Sequence, residues 1–270
     1  MNLKYNLNYK NSLRLGASKT YTLPQAKEIS PYRYVGVNFN SQGNPNLKPS
    51  DHYNLDLKWD FNPTPTELIS LTAFYKLIKN PISRIEVASA GGYLSYENIA
   101  DKATVAGVEI EIRKNLFVRP VSNAAHGMNK LSLGLNGSYI YTNAKMPLAT
   151  VTTGSQLEGA APWIVNFDLS HNFTKGERSF VNTLVLNYVS DKIYTIGTQG
   201  YQDVMEQGVL ILDFVSQAKL NKHLSLNLKA RNLLNPSYKL SRKANENGEK
   251  VILNDYKKGI NISLGVSCTF

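Results

Sequence analysis

The chain has 270 residues, 42% of them hydrophobic, with 16 tyrosines, a single cysteine and a formal net charge of +10. No apolar run approaches the ~20 residues of a membrane-spanning helix, and the longest aliphatic run, VLIL at 209–212, stops at Asp213. One cysteine excludes an internal disulfide framework, and basic residues in runs no longer than two give no stripe for nucleic acid.

Taken in order, the chain opens on MNLKYNLNYK, which has lysines but neither the apolar stretch nor the small-residue site of a secretory signal. At 3–9, Leu3, Tyr5, Leu7 and Tyr9 alternate with Asn and Lys. At 13–17, Leu13, Leu15 and Ala17 alternate with Arg14 and Gly16. At 53–61, Tyr53, Leu55, Leu57, Trp59 and Phe61 alternate with Asn54, Asp56, Lys58 and Asp60. The pattern recurs at 69–77, 108–112, 131–141, 163–173, 180–188, 210–220, 224–230 and 260–270. A period of two places successive side chains on opposite faces of a strand. About eleven amphipathic strands are expected, with no stretch of helical period, so the fold class is all-β.

The connections alternate in length. Short ones fall at 8–11, 62–65 (NPTP), 174–177 (TKGE) and 221–222, with a longer member at 117–129 in the same series. Long ones fall at 22–50, 86–103, 144–161, 191–207 and 235–256. Loops of this length are rare in compact soluble domains and usually signal function. On every second connection, they all project from one end of the sheet.

Two architectures fit eleven such strands. A soluble β-sandwich, as in a carbohydrate-binding or adhesin domain, packs its apolar faces inward. A transmembrane barrel turns them to lipid and lines its lumen with polar residues. Strand length and aromatic placement favour the barrel. The segments exceed the ordinary five or six residues, and aromatics mark both ends of the apolar face, as at Trp163 and Phe173 or Phe180 and Tyr188. Ten residues at about 3.3 Å each and about 40° tilt span roughly 25 Å, the height of a barrel's lipid-facing band. The other face carries mainly Asn, Ser, Gly and Thr. Short turns then lie on the periplasmic side and long loops outside. The chain also ends on an amphipathic strand closed by Phe270, the pattern expected of an outer-membrane assembly signal.

Little points to covalent chemistry. His52, His126, His171 and His223 are scattered, and Cys268 sits on the lipid face of its strand. Asp51 and His52 are merely adjacent. Glu109, Glu111 and Arg113 share one face and read as a lumen charge cluster rather than paired catalytic carboxylates. Phosphate-loop and dinucleotide motifs are missing. No catalytic residue, metal ligand or cofactor is expected. Candidate ligand contacts lie in the loops: Tyr32, Arg33 and Tyr34, which join aromatic faces to a cation, then Tyr194 and Tyr201. That mixture suits a ferric chelate or a sugar.

Several stretches resemble the TonB-dependent receptors of the Gram-negative outer membrane. GNPNLKP at 43–49 is similar to the family's loop re-entry, with Ser50 where an acidic residue is common. LTAFYKLIKNPISRIE at 71–86, YENIADKATVAGVEIEIRKNL at 96–116 and LKARNLLNPSY at 228–238 resemble further barrel segments, with Gly107, Glu109 and Glu111 in place. Pro45 and Pro49 favour extended entry into the strand that follows, and Gly107 permits a close approach.

The resemblance implies a 22-stranded barrel around a plug, energised through TonB. It would import a large scarce solute such as a siderophore, haem, cobalamin or a glycan. Residues 1–270 correspond to its last half, with the plug and N-terminal strands absent. The implied partners are outer-membrane lipid, the TonB complex through the missing segment, the barrel-assembly machinery through the C-terminal strand, and the missing half of the barrel. A passive porin, or a barrel assembled from this chain alone, is the rival reading. Eleven strands leave two open edges, which lipid does not tolerate, so the isolated chain is not expected to form a stable half-barrel.

Overall fold

The computed structural model describes residues 1–37, 39–87, 92–121, 127–146, 155–244 and 248–269. Phe270 and His126 lie outside the described residues. Eleven strands form one antiparallel sheet: β1 (Asn2–Asn6), β2 (Asn11–Thr22), β3 (Ser50–Phe61), β4 (Leu68–Lys79), β5 (Lys102–Pro120), β6 (Met128–Ala144), β7 (Trp163–Lys175), β8 (Arg178–Val189), β9 (Val209–Lys219), β10 (Leu224–Arg231) and β11 (Asn261–Cys268). Each pairs with its predecessor in the chain, so the sheet is a pure meander. The sheet does not close: β1 and β11 are its two edges.

The pairing register keeps the large apolar side chains of β2 to β5 in rows on one face. Leu13 lies opposite Trp59 and Leu15 opposite Leu57, Leu57 in turn faces Ala73, and Ala73 faces Val108. A one-residue slip would invert the whole row. That face is the exposed one: Leu57 is 51% exposed, Ile110 43% and Leu264 72%, whereas Asp60 and Ser70 on the other face are 5% and 2% exposed. A sheet that exposes leucine and shields aspartate is inverted relative to a soluble protein, and lipid is the solvent that makes it stable. The sandwich reading fails on this point, because no second sheet covers the apolar face among the described residues.

Aromatic rings border the exposed band. Trp59 stacks with Phe61, and Phe173 meets Phe180, at the short-turn end. At the long-loop end Tyr139 packs on Trp163, with ring centroids 4.6 Å apart.

Three expectations need correction. The strand expected at 108–112 runs from Lys102 to Pro120, and both ends of the connector expected at 117–129 are strand. The alternation was hidden by Ala103 and Val105 on the lumen face and by the β-bulge at Leu131/Ser132, which shifts the register below it. The first strand stops at Asn6, earlier than its apolar pattern. The long connections are themselves folded. One holds a single-turn helix, α1 (Ala26–Ile29), whose entry is fixed by the Gln25 amide donating to Glu28 Oε2 at 2.8 Å.

The loops build two small sheets. Arg33–Tyr34, Ser41–Gln42, Tyr93–Asn98 and Ile82–Val87 form one, and Lys192–Thr195, Val204–Glu206, Ser237–Lys243 and Lys250–Lys257 form the other. They join where the Glu86 amide donates to the Ile196 carbonyl and the Ile196 amide to the Arg84 carbonyl, both at 3.0 Å. The apolar core lies at the base of this layer: Ile85, Ile99, Ala100, Ala103, Ala144, Leu157, Ile193 and Ile196 are all under 9% exposed. The chain therefore has a lipid-solvated wall and, above it, a water-excluding core into which the ends of β5 and β6 reach.

Candidate ligand-binding loop layer

The strand Lys192–Thr195 alternates Ile193 and Thr195 into the core with Lys192 and Tyr194 outward, again by a period of two. Tyr194 is thereby held between two loops. The Arg84 guanidinium lies 4.4 Å over its ring, and the Phe39 ring, from the 22–50 loop, stands 6.1 Å away. Arg84 is fixed in turn by Glu158, through a 3.2 Å ion pair and a 2.7 Å bond from its own amide to the second carboxylate oxygen. Burial raises the pKa of the Glu158 carboxyl above its ordinary value, although the Arg84 amide and guanidinium pull the other way. A second clasp, Arg242 with Glu86, ties the hairpin of Ser237–Lys243 to Ile82–Val87, and Arg242 also covers the Tyr201 ring.

Beside Tyr194 is a cavity of about 500 Å³ lined by Phe39, Tyr194, Glu206, Tyr238, Lys239, Leu240, Asn254 and Tyr256. Tyr238 and Tyr256 oppose each other across the hairpin and stack at 5.4 Å. Lys258 places its ammonium 3.8 Å over Tyr238, while Lys239 pairs with Asp255 at 3.4 Å. Aromatic rings with the Glu206 carboxylate and the Asn254 carboxamide make a site that stacks on a planar or ring-shaped ligand and orients it by a few polar contacts.

The residues anticipated from sequence divide. Tyr194 lines the cavity. Tyr201 is held under Arg242 outside it. Arg33 lies over Tyr93 at 5.4 Å, and Tyr34 lies under Lys27. Tyr32 projects from the loop, 75% exposed. The structure does not gather all five around one cleft. Glu206 was missed because 191–207 read as a loop, and Lys239, Asn254 and Tyr256 because 235–256 did. The β-branched and aromatic residues Val251, Ile252 and Tyr256 inside KVILNDYK were the available signal.

The other chemistry-bearing residues are used locally. His52 Nε2 is 2.9 Å from the Thr22 hydroxyl, His171 Nε2 is 2.8 Å from Asn129 Oδ1, and His223 Nδ1 is 2.7 Å from the Thr269 carbonyl. Asp51 pairs with Lys19 on the face opposite His52. Arg113 donates to Glu111 at 2.8 Å, and Asn136 to Glu109 at 2.7 Å, on the lumen wall. No group of three or more His, Cys, Asp or Glu that could hold a metal occurs among the described residues.

A meander of long strands, apolar outside and polar inside, with tight turns at one end and folded loops at the other, is the wall of an outer-membrane β-barrel. Residues 1–233 match the family described as TonB dependent receptor-like, β-barrel, and the chain belongs to it. An iron-regulated outer membrane virulence protein of Vibrio cholerae is 25% identical over 219 residues, covering 77% of this chain and 31% of the relative. The chain thus spans about a third of the length of the curated relatives it matches. Among solved structures, a mutant ferric enterobactin receptor of Pseudomonas aeruginosa superposes with a TM-score of 0.60 at 17% identity, over 100% of this chain and 39% of that one. The ferric yersiniabactin uptake receptor of Yersinia pestis gives 0.60 at 14%, over 100% and 36%. The copper transporter OprC gives 0.65 at 14%, over 100% and 38%. These likenesses establish the barrel fold, and the family places the chain in the Gram-negative outer membrane.

Proposed function

We propose that residues 1–270 form the C-terminal part of the wall of an energised importer, completed by N-terminal strands and a plug that a preceding segment supplies. In this reading the loop layer captures a ferric siderophore, and TonB, acting on the plug, drives its passage inward. The plug and the first half of the barrel, outer-membrane lipid and the barrel-assembly machinery are its partners, the last engaging β11 and Phe270. Haem, cobalamin and glycans are the competing solutes. The iron regulation in the relative's name and the ferric enterobactin and ferric yersiniabactin receptors among the structural neighbours favour a ferric chelate. The observation that carries the reading is the aromatic cavity beside Tyr194, set in a layer tied together by two half-buried ion pairs.

The test uses the intact receptor containing this chain, purified in detergent and titrated with ferric enterobactin while its tryptophan fluorescence is followed. Saturable quenching is expected, weakened about tenfold by Tyr194→Ala or Tyr256→Ala, the loss of one stacking contact. Unchanged affinity in both variants overturns the site. Steady ion conductance by the same protein without TonB would instead favour a passive pore.

A further inference from the structure

The lipid-facing side of the wall is almost free of charge, and the exceptions at its loop end cluster on four strands. In register across β2 to β5, one row carries Tyr21, Asp51, Lys79 and Lys102, and the row below carries Lys19, Tyr53, Leu77 and Thr104. All of these positions share the outward face with Leu55, Leu57 and Leu71. Along β3, Asp51 is ten residues above Phe61, and along β4 Lys79 is ten above Ile69, so the cluster lies about 25 Å above the short-turn end of the band. That is the level of the outer leaflet's headgroups. On β6 to β8 the matching border is aromatic and uncharged, with Tyr139, Trp163 and Tyr188.

Two features make the cluster more than scattered lysines. Lys19 and Lys79 reach the Tyr53 ring from the two neighbouring strands, each with its ammonium 5.5 Å from the ring centroid. Lys79 and Lys102 sit directly opposite each other in the ladder, a like-charge pair that destabilises a sheet unless an anion lies between. Asp51 does not fill that role, because it pairs with Lys19, at 3.2 Å. Neither Lys79 nor Lys102 has a carboxylate partner among the described residues. Three cations against one anion leave an excess of about two positive charges at a low-dielectric boundary, where attraction to an anion is strong.

We propose that this patch binds the phosphate of an acylated, phosphorylated glycolipid of the outer leaflet. Lys79 and Lys102 hold the phosphate, Lys19 and the Tyr53 hydroxyl flank it, and the acyl chains run down over Leu55, Leu57 and Leu71. Alkyl chains on that apolar face add binding that a free phosphate lacks. The site lies on the outer wall, away from the loop cavity, and is independent of the solute.

The test incubates the intact receptor in neutral-detergent micelles with bisphosphorylated lipid A, and counts retained lipid by native mass spectrometry. Wild type is expected to retain lipid A at least tenfold better than phosphatidylcholine. The Lys19→Gln/Lys79→Gln/Lys102→Gln variant should lose at least fivefold of that retention, and Asp51→Asn should gain. A heat-modifiable band and unchanged ferric enterobactin quenching in the triple variant show that barrel and loop cavity are intact. If the triple variant does not insert, Lys102→Gln alone serves, since its side chain makes no ion pair among the described residues, and about twofold loss is expected. Retention unchanged by either variant, retention of phosphatidylcholine equal to that of lipid A, or full displacement by equimolar inorganic phosphate overturns the proposal.

Discussion

The membrane wall and the loop layer above it are made by the same chain with opposite solvents. In the wall, apolar side chains face out and Asp60 and Ser70 are shielded; in the loop layer, Ile85, Ile193 and Ile196 are shielded and polar groups face out. The wall is held by backbone ladders whose polar groups have no alternative partner in hydrocarbon. The loop layer is held by apolar burial, with two half-buried ion pairs positioning its loops, a combination familiar from soluble domains. Perturbations should therefore affect the two regions separately, and a wall substitution should leave the loops closed.

The largest effect concerns the open edges. Severing this chain from whatever closes β1 and β11 leaves two rows of unpaired amides and carbonyls, each costing several kcal/mol in lipid. The isolated 270-residue chain should aggregate or require a complementary half. A monomeric, detergent-soluble, heat-modifiable species of this length would break the expectation. Ile196→Ala acts on the other region. Ile196 is 1% exposed at the junction of the two loop sheets, and truncation there should cost about 2–5 kcal/mol of loop-layer stability. Limited proteolysis of the intact receptor should then cut the loops faster while the barrel's heat-modifiability is unchanged.

A smaller effect distinguishes two wall glycines. A Cβ at Gly107 would lie 2.4 Å from both the Phe74 ring and the Tyr139 carbonyl, whereas at Gly137 it would meet nothing within 4 Å. Gly107→Ala should cost about 1–3 kcal/mol by overpacking, and Gly137→Ala less than about 0.5. Urea unfolding of the reconstituted receptor, followed by gel mobility, checks the pair. Equal midpoints would show that the lumen wall yields at Phe74.

How much was legible follows the same division. All eleven wall strands were readable because lipid on one side and the lumen on the other enforce a period of two that survives in single residues, as from Tyr53 to Phe61. Strand ends were less readable. Lys102 and Thr104 face outward on β5 but are not apolar, so the alternation stopped at Val108 while the ladder continued. The loop layer was mostly illegible. Its core is assembled from isolated residues of three connections and the upper ends of β5 and β6, such as Leu157 and Ile196, whose contacts depend on where the wall places each loop. Tyr194 was found because an aromatic in a long loop is conspicuous. Tyr256 was not, since its partner Tyr238 lies 18 positions away across a hairpin. Phe270 gained its expected role from sequence alone and lies outside the described residues.

The smallest effect tests how the loop layer depends on pH. Burial holds the Glu158 carboxyl above its ordinary value of 4.5 in the folded loop, with the Arg84 amide and guanidinium opposing that shift. A raised carboxyl pKa means that the folded loop binds the proton more tightly than the opened one. Its stabilising contribution is therefore fully present below the ordinary value and is lost as pH rises from there through the raised value. Amide hydrogen exchange in Ile82–Val87, corrected for its intrinsic pH dependence, should show opening becoming more frequent across that window. Glu158→Gln keeps an acceptor for the Arg84 amide and removes the titration, so its opening should be flat over the same range. A wild-type profile with the opposite slope would mean that the Arg84 charge outweighs burial. The clasp would then be a net stabiliser of the loop layer at neutral pH rather than a positioning device for Tyr194.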